Sequence, residues 1–382
     1  MSGTLHAVAA SQLFDGARLH DNAAVLIDGT HIAGVVPRRE LSATIPLREL
    51  PDGALLAPGF IDIQVNGGGD VLFNDAPTPE TLRTIVAAHR KLGTTAMLPT
   101  LISDSFEKMR AALAAIDAVI GTEPGVLGIH LEGPFLSPER AGVHKLAALR
   151  RPAADDFNAI TAPRRGVTLV TLAPEQVPDD FVKKLAAAGA RVALGHSMAT
   201  YAQTKAAMEA GLNGFTHLFN AMRPLTSREP GPIAAALESP DSWYGLIVDG
   251  IHVAPAMLRL AFRGAGRPIL VSDAMPPVGG TRNSFTLYGE TISVQNGRCE
   301  RADGTLAGAC LDMASAVRNC VRLCDVRLTD ALRFASSNPA DFLGLGGTLG
   351  RLALGMRADV VALDPAAIEV LDCWVAGANV GL

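Results

Sequence analysis

Four residues able to do acid, base or metal chemistry each stand just after a short apolar run. They are Glu132 in Gly128-Ile-His-Leu-Glu132, His196 in Val192-Ala-Leu-Gly-His196, His217 in Gly214-Phe-Thr-His217 and Asp273 in Ile269-Leu-Val-Ser-Asp273. Two imidazoles and a carboxylate are enough to hold a catalytic zinc that keeps one position open for water. A second carboxylate nearby is suited to accept a proton from that water and hand it to a leaving amine, the role expected of Asp273. A strand-terminal Asp also commonly caps a turn, and Ala274-Met-Pro-Pro277 follows it as a turn sequence. Taken together the four residues point to metal-dependent hydrolysis.

Residues so far apart converge only if the fold brings strand ends to one rim, as a parallel barrel does. Apolar runs near 59 to 64, 95 to 99, 126 to 131, 168 to 173, 191 to 195, 214 to 218, 244 to 248 and 267 to 272 alternate with helical patterns. That alternation predicts successive strand and helix units, and eight strands is the number a closed barrel needs. Helices are predicted over 79 to 92, with Pro79 early and Gly93 at the end, and over 201 to 210, with Thr200 as cap and Gly211 as stop. A period-two stretch over 284 to 298 predicts a hairpin after the eighth strand, and helices are predicted over 311 to 323 and 329 to 342.

The two ends read differently. Runs 23 to 27 and 31 to 36 flank Asp28-Gly29-Thr30, a hairpin turn, and runs 358 to 363 and 368 to 375 are again strand-like. The expected architecture is an α/β, TIM-like (β/α)8 barrel over 58–350. Residues 1–57 and 351–382 are expected to form a small β-sandwich domain.

Composition narrows the function. The 382 residues carry a net charge of −5, without the basic stripe a phosphate backbone requires, so nucleic acid is not expected as a partner. The start lacks a basic segment followed by a long apolar one, and no later run approaches the roughly 20 apolar residues of a membrane span. A soluble, cytoplasmic protein is expected. Its five cysteines, an odd number confined to the last quarter, read as reduced thiols.

The segments Pro58-Gly-Phe-Ile-Asp-Ile-Gln-Val-Asn-Gly67, His130-Leu-Glu-Gly-Pro134, Gly195-His-Ser197, Thr216-His-Leu-Phe-Asn-Ala-Met222, Asp249-Gly-Ile-His252 and Ser272-Asp-Ala274 resemble, in order, the N-acetylglucosamine-6-phosphate deacetylase family of the amidohydrolase superfamily. The resemblance implies hydrolysis of N-acetylglucosamine 6-phosphate to glucosamine 6-phosphate and acetate. An epimeric N-acetylhexosamine 6-phosphate, or a silent sugar-phosphate sensor, are the alternatives. Many amidohydrolases carry a His-x-His pair on the first strand where this chain has Gln64 and Asn66, both poor ligands for transition metals. The resemblance therefore implies one divalent ion per subunit on Glu132, His196 and His217, with zinc favoured over iron, manganese or cobalt. Gln64 and Asn66 are left to hydrogen bonding.

The resemblance implies further roles. Asn220, the Ala221 backbone and His252 would contact the sugar phosphate, while Arg228 would reach the phosphate of a neighbouring subunit in a homodimer. A guanidinium suits phosphate because it donates two charge-assisted hydrogen bonds at once. His144, in Gly142-Val-His144, would help polarise the acetyl carbonyl, and Leu306, Ala307 and Gly308 would close over the sugar. Many members have Ser where this chain has Ala309. Asp249 is read as a turn residue, His130 as packing support, and His6, His20, His31 and His89 as surface or structural.

Overall fold

The computed structural model describes residues 5–381; residues 1–4 and 382, the outer tips of the expected terminal domain, lie outside the described residues. Eight parallel strands follow one another in chain order around one sheet: Phe60–Val65, Thr94–Ile102, Gly128–Glu132, Val167–Leu172, Arg191–Leu194, Gly214–Phe215, Trp243–Leu246 and Arg267–Leu270. Each overlaps one of the eight predicted runs. They read as near-continuous apolar segments because strands of a parallel barrel are buried on both faces. All nine residues of Thr94–Ile102 and all six of Phe60–Val65 are buried.

The fold is a (β/α)8 barrel, closed at its seam by side-chain chemistry. The first and eighth strands share no ladder; one bridge joins Val65 to Ala274. Below it, Asp62 of the first strand accepts the Ser272 N–H at 3.3 Å and also the Ser272 hydroxyl. Burial pushes the Asp62 carboxyl up to about 7.

The crossover helices show their predicted punctuation. Pro79–Arg90 begins behind Thr78, whose hydroxyl accepts the Thr81 N–H, and Tyr201–Glu209 begins with a Thr200–Gln203 capping box. His89 is buried on the first of these helices and its Nε2 contacts the Gly67 carbonyl at 2.9 Å. The expected single helix over 329 to 342 is two, Leu328–Ala335 and Ser337–Leu343, broken at Ser336 (φ −135°, ψ −77°). Pro339 causes the break: it has no N–H to give, and its ring would collide with the carbonyl of a continuing turn.

Chain from both ends builds a separate eight-stranded sheet. His6–Phe14, Leu19–Asp28, His31–Pro37, Leu47–Glu49 and Leu55–Pro58 join Val360–Asp364, Glu369–Val375 and Ala378–Asn379. Gly29, at φ 57°, makes the tight turn between Asp28 and His31. Alternate residues serve two cores: Leu56, Val360 and Ala362 pack with Val8, Val25 and Trp374, whereas Leu55, Ala57, Val361 and Leu363 face the barrel. A third, antiparallel sheet of Ser284–Leu287, Glu290–Gln295, Arg298–Glu300 and Leu306–Ala309 stands over the barrel mouth. The predicted hairpin stopped at 298, because Leu306-Ala-Gly-Ala309 has no polar alternation to mark it as a strand.

Candidate active site

Three of the chemically active residues share one backbone device. His196, His217 and Asp273, each at the end of a barrel strand, take left-handed conformations with φ of 49°, 33° and 51°. Non-glycine residues rarely do so, because Cβ crowds the following carbonyl, and such strain collects at functional sites.

Glu132 Oε1 lies 3.0 Å from Nε2 of His196 and 3.0 Å from Nε2 of His217, and the two nitrogens are 3.0 Å apart. His196 donates its Nδ1–H to the Arg140 carbonyl at 2.7 Å, so its Nε2 presents a lone pair to this triangle. Lone pairs facing one another so closely call for a cation between them. Glu132 Oε1 and the Nε2 atoms of His196 and His217 would hold such an ion, which would supply Lewis acidity. The residues fit a divalent ion. Burial raises the Glu132 carboxyl, but the adjoining His196 and His217 imidazoles outweigh it and hold the group well below its usual range.

Asp273 stands beside this group, and the amides of the first strand join the two. Gln64 Nε2 donates to Glu132 Oε2 at 3.2 Å and to Asp273 Oδ1 at 3.1 Å, while Asn66 Nδ2 donates to the same Asp273 oxygen at 2.6 Å. Burial, and then the Glu132 charge, push the Asp273 carboxyl up to about 6. The Asp273 backbone is pinned from the overlying sheet, since its carbonyl accepts the Ala309 N–H at 2.9 Å. At this position the chain uses Ala309 through its backbone.

A cavity of about 340 Å³ opens over these groups. Of the residues singled out from sequence, Asn66, Glu132, His144, His196, His217, Asn220, Ala221, His252, Asp273, Leu306 and Gly308 line it. Gln64 lies behind the wall, Ala307 is fully buried, and Arg228 is exposed on its loop, outside the lining. Asp249 does more than turn the chain: it accepts the Ile251 and His252 N–H groups and holds His252 Nδ1 at 2.6 Å, and its carboxyl lies below the usual range, where the His252 bond outweighs burial. His130 belongs to a polar chain inside the barrel, with Nε2 2.7 Å from Thr171 Oγ1, which is 2.6 Å from Thr216 Oγ1. Burial depresses its imidazole to about 4.

Three neighbours escaped the sequence reading. Arg140 is the one Lys or Arg among the lining residues, Ser103 contacts His144, and Tyr288 reaches Ser103 from the overlying sheet. Arg140 alone left a local sign, a lone cation between the Gly133-Pro134 and Gly142-Val-His144 segments.

Residues 55–380 match the family model described as the amidohydrolase family. This chain is an amidohydrolase. It is therefore a hydrolase of carbon–nitrogen bonds, and the buried Glu132, His196 and His217 group is its candidate divalent-metal site. The amidohydrolase is 44% identical to an N-acetylgalactosamine-6-phosphate deacetylase of Shewanella sp. (strain ANA-3) over 88% of this chain and 86% of that one. It is 35% identical to an N-acetylglucosamine-6-phosphate deacetylase of Haemophilus influenzae, over 90% and 91%. The crystal structure of N-acetylglucosamine-6-phosphate deacetylase from Pasteurella multocida superposes with a TM-score of 0.94 at 32% identity, covering 98% of each chain. No helix among the described residues is long and apolar enough to cross a membrane.

Proposed function

We propose that this amidohydrolase removes the acetyl group of N-acetylglucosamine 6-phosphate, giving glucosamine 6-phosphate and acetate, in amino-sugar catabolism. The observation that carries the reading is the pairing of the Glu132–His196–His217 triangle with Asp273 through one shared amide, Gln64. One divalent ion on the triangle, zinc being favoured by two imidazoles and a carboxylate, would supply Lewis acidity to the water and the acetyl carbonyl.

The chain's own residues divide the remaining work. Asp273, ionised and held by Asn66, accepts a proton from the attacking water and then delivers it to the amine nitrogen as the carbon–nitrogen bond breaks. His144 offers a hydrogen bond to the oxygen that gains charge in the transition state. Burial depresses His144 to about 3, so its imidazole acts as a neutral donor. Asn220, the Ala221 backbone and His252 line the same cavity and are assigned to the sugar phosphate, with Leu306, Ala307 and Gly308 above the ring. Arg228, exposed in this single chain, is assigned to the phosphate held by a neighbouring subunit of a homodimer. The reading places the enzyme in the cytoplasm, where unpaired thiols persist.

The 44% identity to a relative named for the galacto sugar favours a second reading, the epimeric N-acetylgalactosamine 6-phosphate. The test is acetate release from both 6-phosphates and from unphosphorylated N-acetylglucosamine, with the protein chelated and then restored with zinc. Zinc-dependent release strongly favouring the gluco phosphate is expected. Preference for the galacto phosphate would transfer the assignment to the epimer, and no release from either despite bound zinc would leave a silent sensor.

A further inference from the structure

The second barrel strand ends at Ile102, and Ser103 follows it, 1% exposed and directed at His144 from 41 residues away in sequence. Two atoms of Ser103 meet the same ring nitrogen. Its backbone N–H donates to His144 Nδ1 at 3.3 Å, and its Oγ lies 2.7 Å from that Nδ1. A backbone N–H can only donate, so Nδ1 must be the acceptor, and the Ser103 hydroxyl, whose other neighbouring acceptor is the Glu132 carbonyl at 3.5 Å, donates to Nδ1 over the shorter contact. The other tautomer would set two N–H groups against each other in a buried site. His144 therefore carries its proton on Nε2, the atom 3.9 Å from Glu132 Oε1 in the cavity that the Glu132–His196–His217 triangle also lines.

We propose that Ser103 is a positioning residue that fixes His144 in the Nε2–H tautomer, so that a hydrogen-bond donor faces the reacting carbonyl. The proposal rests on the oxyanion role assigned to His144. It explains a donor that the residue type alone leaves undetermined, because a neutral imidazole offers either nitrogen.

Two other features hold Ser103 in place. Tyr288, in the turn of the sheet over the mouth, donates its hydroxyl to the Ser103 carbonyl at 2.5 Å. The same sheet carries Leu306 and Gly308 into the cavity, so the element that covers the substrate also secures the residue that orients His144. On the other side, Gly133 (φ 82°) leaves the space the hydroxyl needs: a Cβ there would stand 2.3 Å from Ser103 Oγ.

The experiment compares the zinc-restored wild type with Ser103→Ala, Ser103→Thr and Tyr288→Phe, each labelled with 15N-histidine. His144 is assigned by its loss in His144→Asn, and two-bond proton–nitrogen spectra read which ring nitrogen is protonated. Wild type and Ser103→Thr are expected to show His144 protonated on Nε2 alone. Ser103→Ala, left with only the longer backbone bond, is expected to shift toward a mixture of tautomers. Its kcat is expected to fall about tenfold, the usual consequence of losing one such hydrogen bond, with KM unchanged. Tyr288→Phe should show a smaller shift in the same direction. Protonation of His144 on Nδ1 in the wild type, or an unchanged tautomer in Ser103→Ala whatever its turnover, overturns the proposal. A tautomer that shifts in Ser103→Ala with kcat intact upholds control by Ser103 and removes His144 from the chemistry.

Discussion

Replacing Gln64 by Glu changes no shape and reverses the electrostatics at the centre of the site. The Gln64 amide places Nε2 at 3.2 Å from Glu132 and 3.1 Å from Asp273, donating to two carboxylates that would otherwise repel. An oxygen in its place, if ionised, meets about 5 kcal/mol of repulsion from each at an effective dielectric of about 20. The total of about 10 kcal/mol corresponds to roughly 7 pH units, so without a second cation beside it the introduced carboxyl stays protonated at any working pH. A protonated acid has one O–H to give where the amide has two N–H bonds, so one of the two carboxylates loses its donor. Losing a hydrogen bond to a charged group costs about 1.5–3 kcal/mol, which predicts a kcat lower by roughly tenfold to a hundredfold. The assay is turnover from pH 6 to 9 at one zinc per chain, together with zinc binding in excess metal. Excess zinc should bring a second ion to the three clustered carboxyl groups. Wild-type kcat with a single ion retained throughout would refute the idea that the Gln64 donors hold the two carboxylates together.

Asp273→Asn should keep zinc and substrate binding while losing turnover by about a thousandfold or more, the upper part of the range for a lost general base; metal analysis and substrate calorimetry on the inactive variant check the two halves separately. The Asp273 carboxyl must be ionised to act, and burial with the Glu132 charge raises it to about 6. A bound cation acts in the opposite direction. Activity is therefore lost as pH falls through this value, and the acidic limb of kcat/KM should lie at or below about pH 6; a limb above pH 7 would exclude Asp273 as the base. Arg228→Ala should raise KM for the phosphorylated sugar about tenfold or more, with little effect on the slow unphosphorylated one, and an unchanged KM would take Arg228 away from the phosphate. Tyr244 donates its buried hydroxyl to the Ala261 carbonyl at 2.8 Å, an oxygen that also accepts the Gly264 N–H at 2.9 Å, so Tyr244→Phe leaves no acceptor unpaired and should cost only about 1 kcal/mol in urea unfolding.

Much of the fold is legible because burial on both faces writes each barrel strand as an apolar run and because local punctuation, such as Thr78 with Pro79 or Thr200 with Gln203, marks helix starts. Of the residues gathered at the cavity, Glu132, His196, His217 and Asp273 could be singled out because acids and imidazoles at the ends of apolar runs are conspicuous, whereas His144, Asn220, Ala221, His252, Leu306 and Gly308 were named through the family resemblance. Ser103 and Tyr288 were not legible: a serine after a strand and a tyrosine in a turn take their meaning from contacts 41 and 185 residues away. Asp62 shows a middle case. An acid inside an apolar strand is visibly anomalous, yet only the return of the eighth strand shows Ser272 to be its partner. The break at Ser336 was readable in principle, since Pro339 stands within the predicted helix.

The terminal sheet has a consequence for how the chain reaches its native state. Leu55–Pro58 pairs on one side with His6–Phe14, near in sequence, and on the other with Val360–Asp364, a loop closure of roughly 300 residues. On a ribosome the early strands therefore emerge with one edge open and must wait until Val360–Asp364 has been made before that edge is covered. Leu55 and Ala57 face the barrel core, and Phe60–Val65 follows directly, so the late arrival of Val360–Asp364 also completes the anchorage of the strand that carries Gln64 and Asn66. Chains that terminate early should show this as exposure of an unpaired, apolar strand edge and a tendency to self-associate.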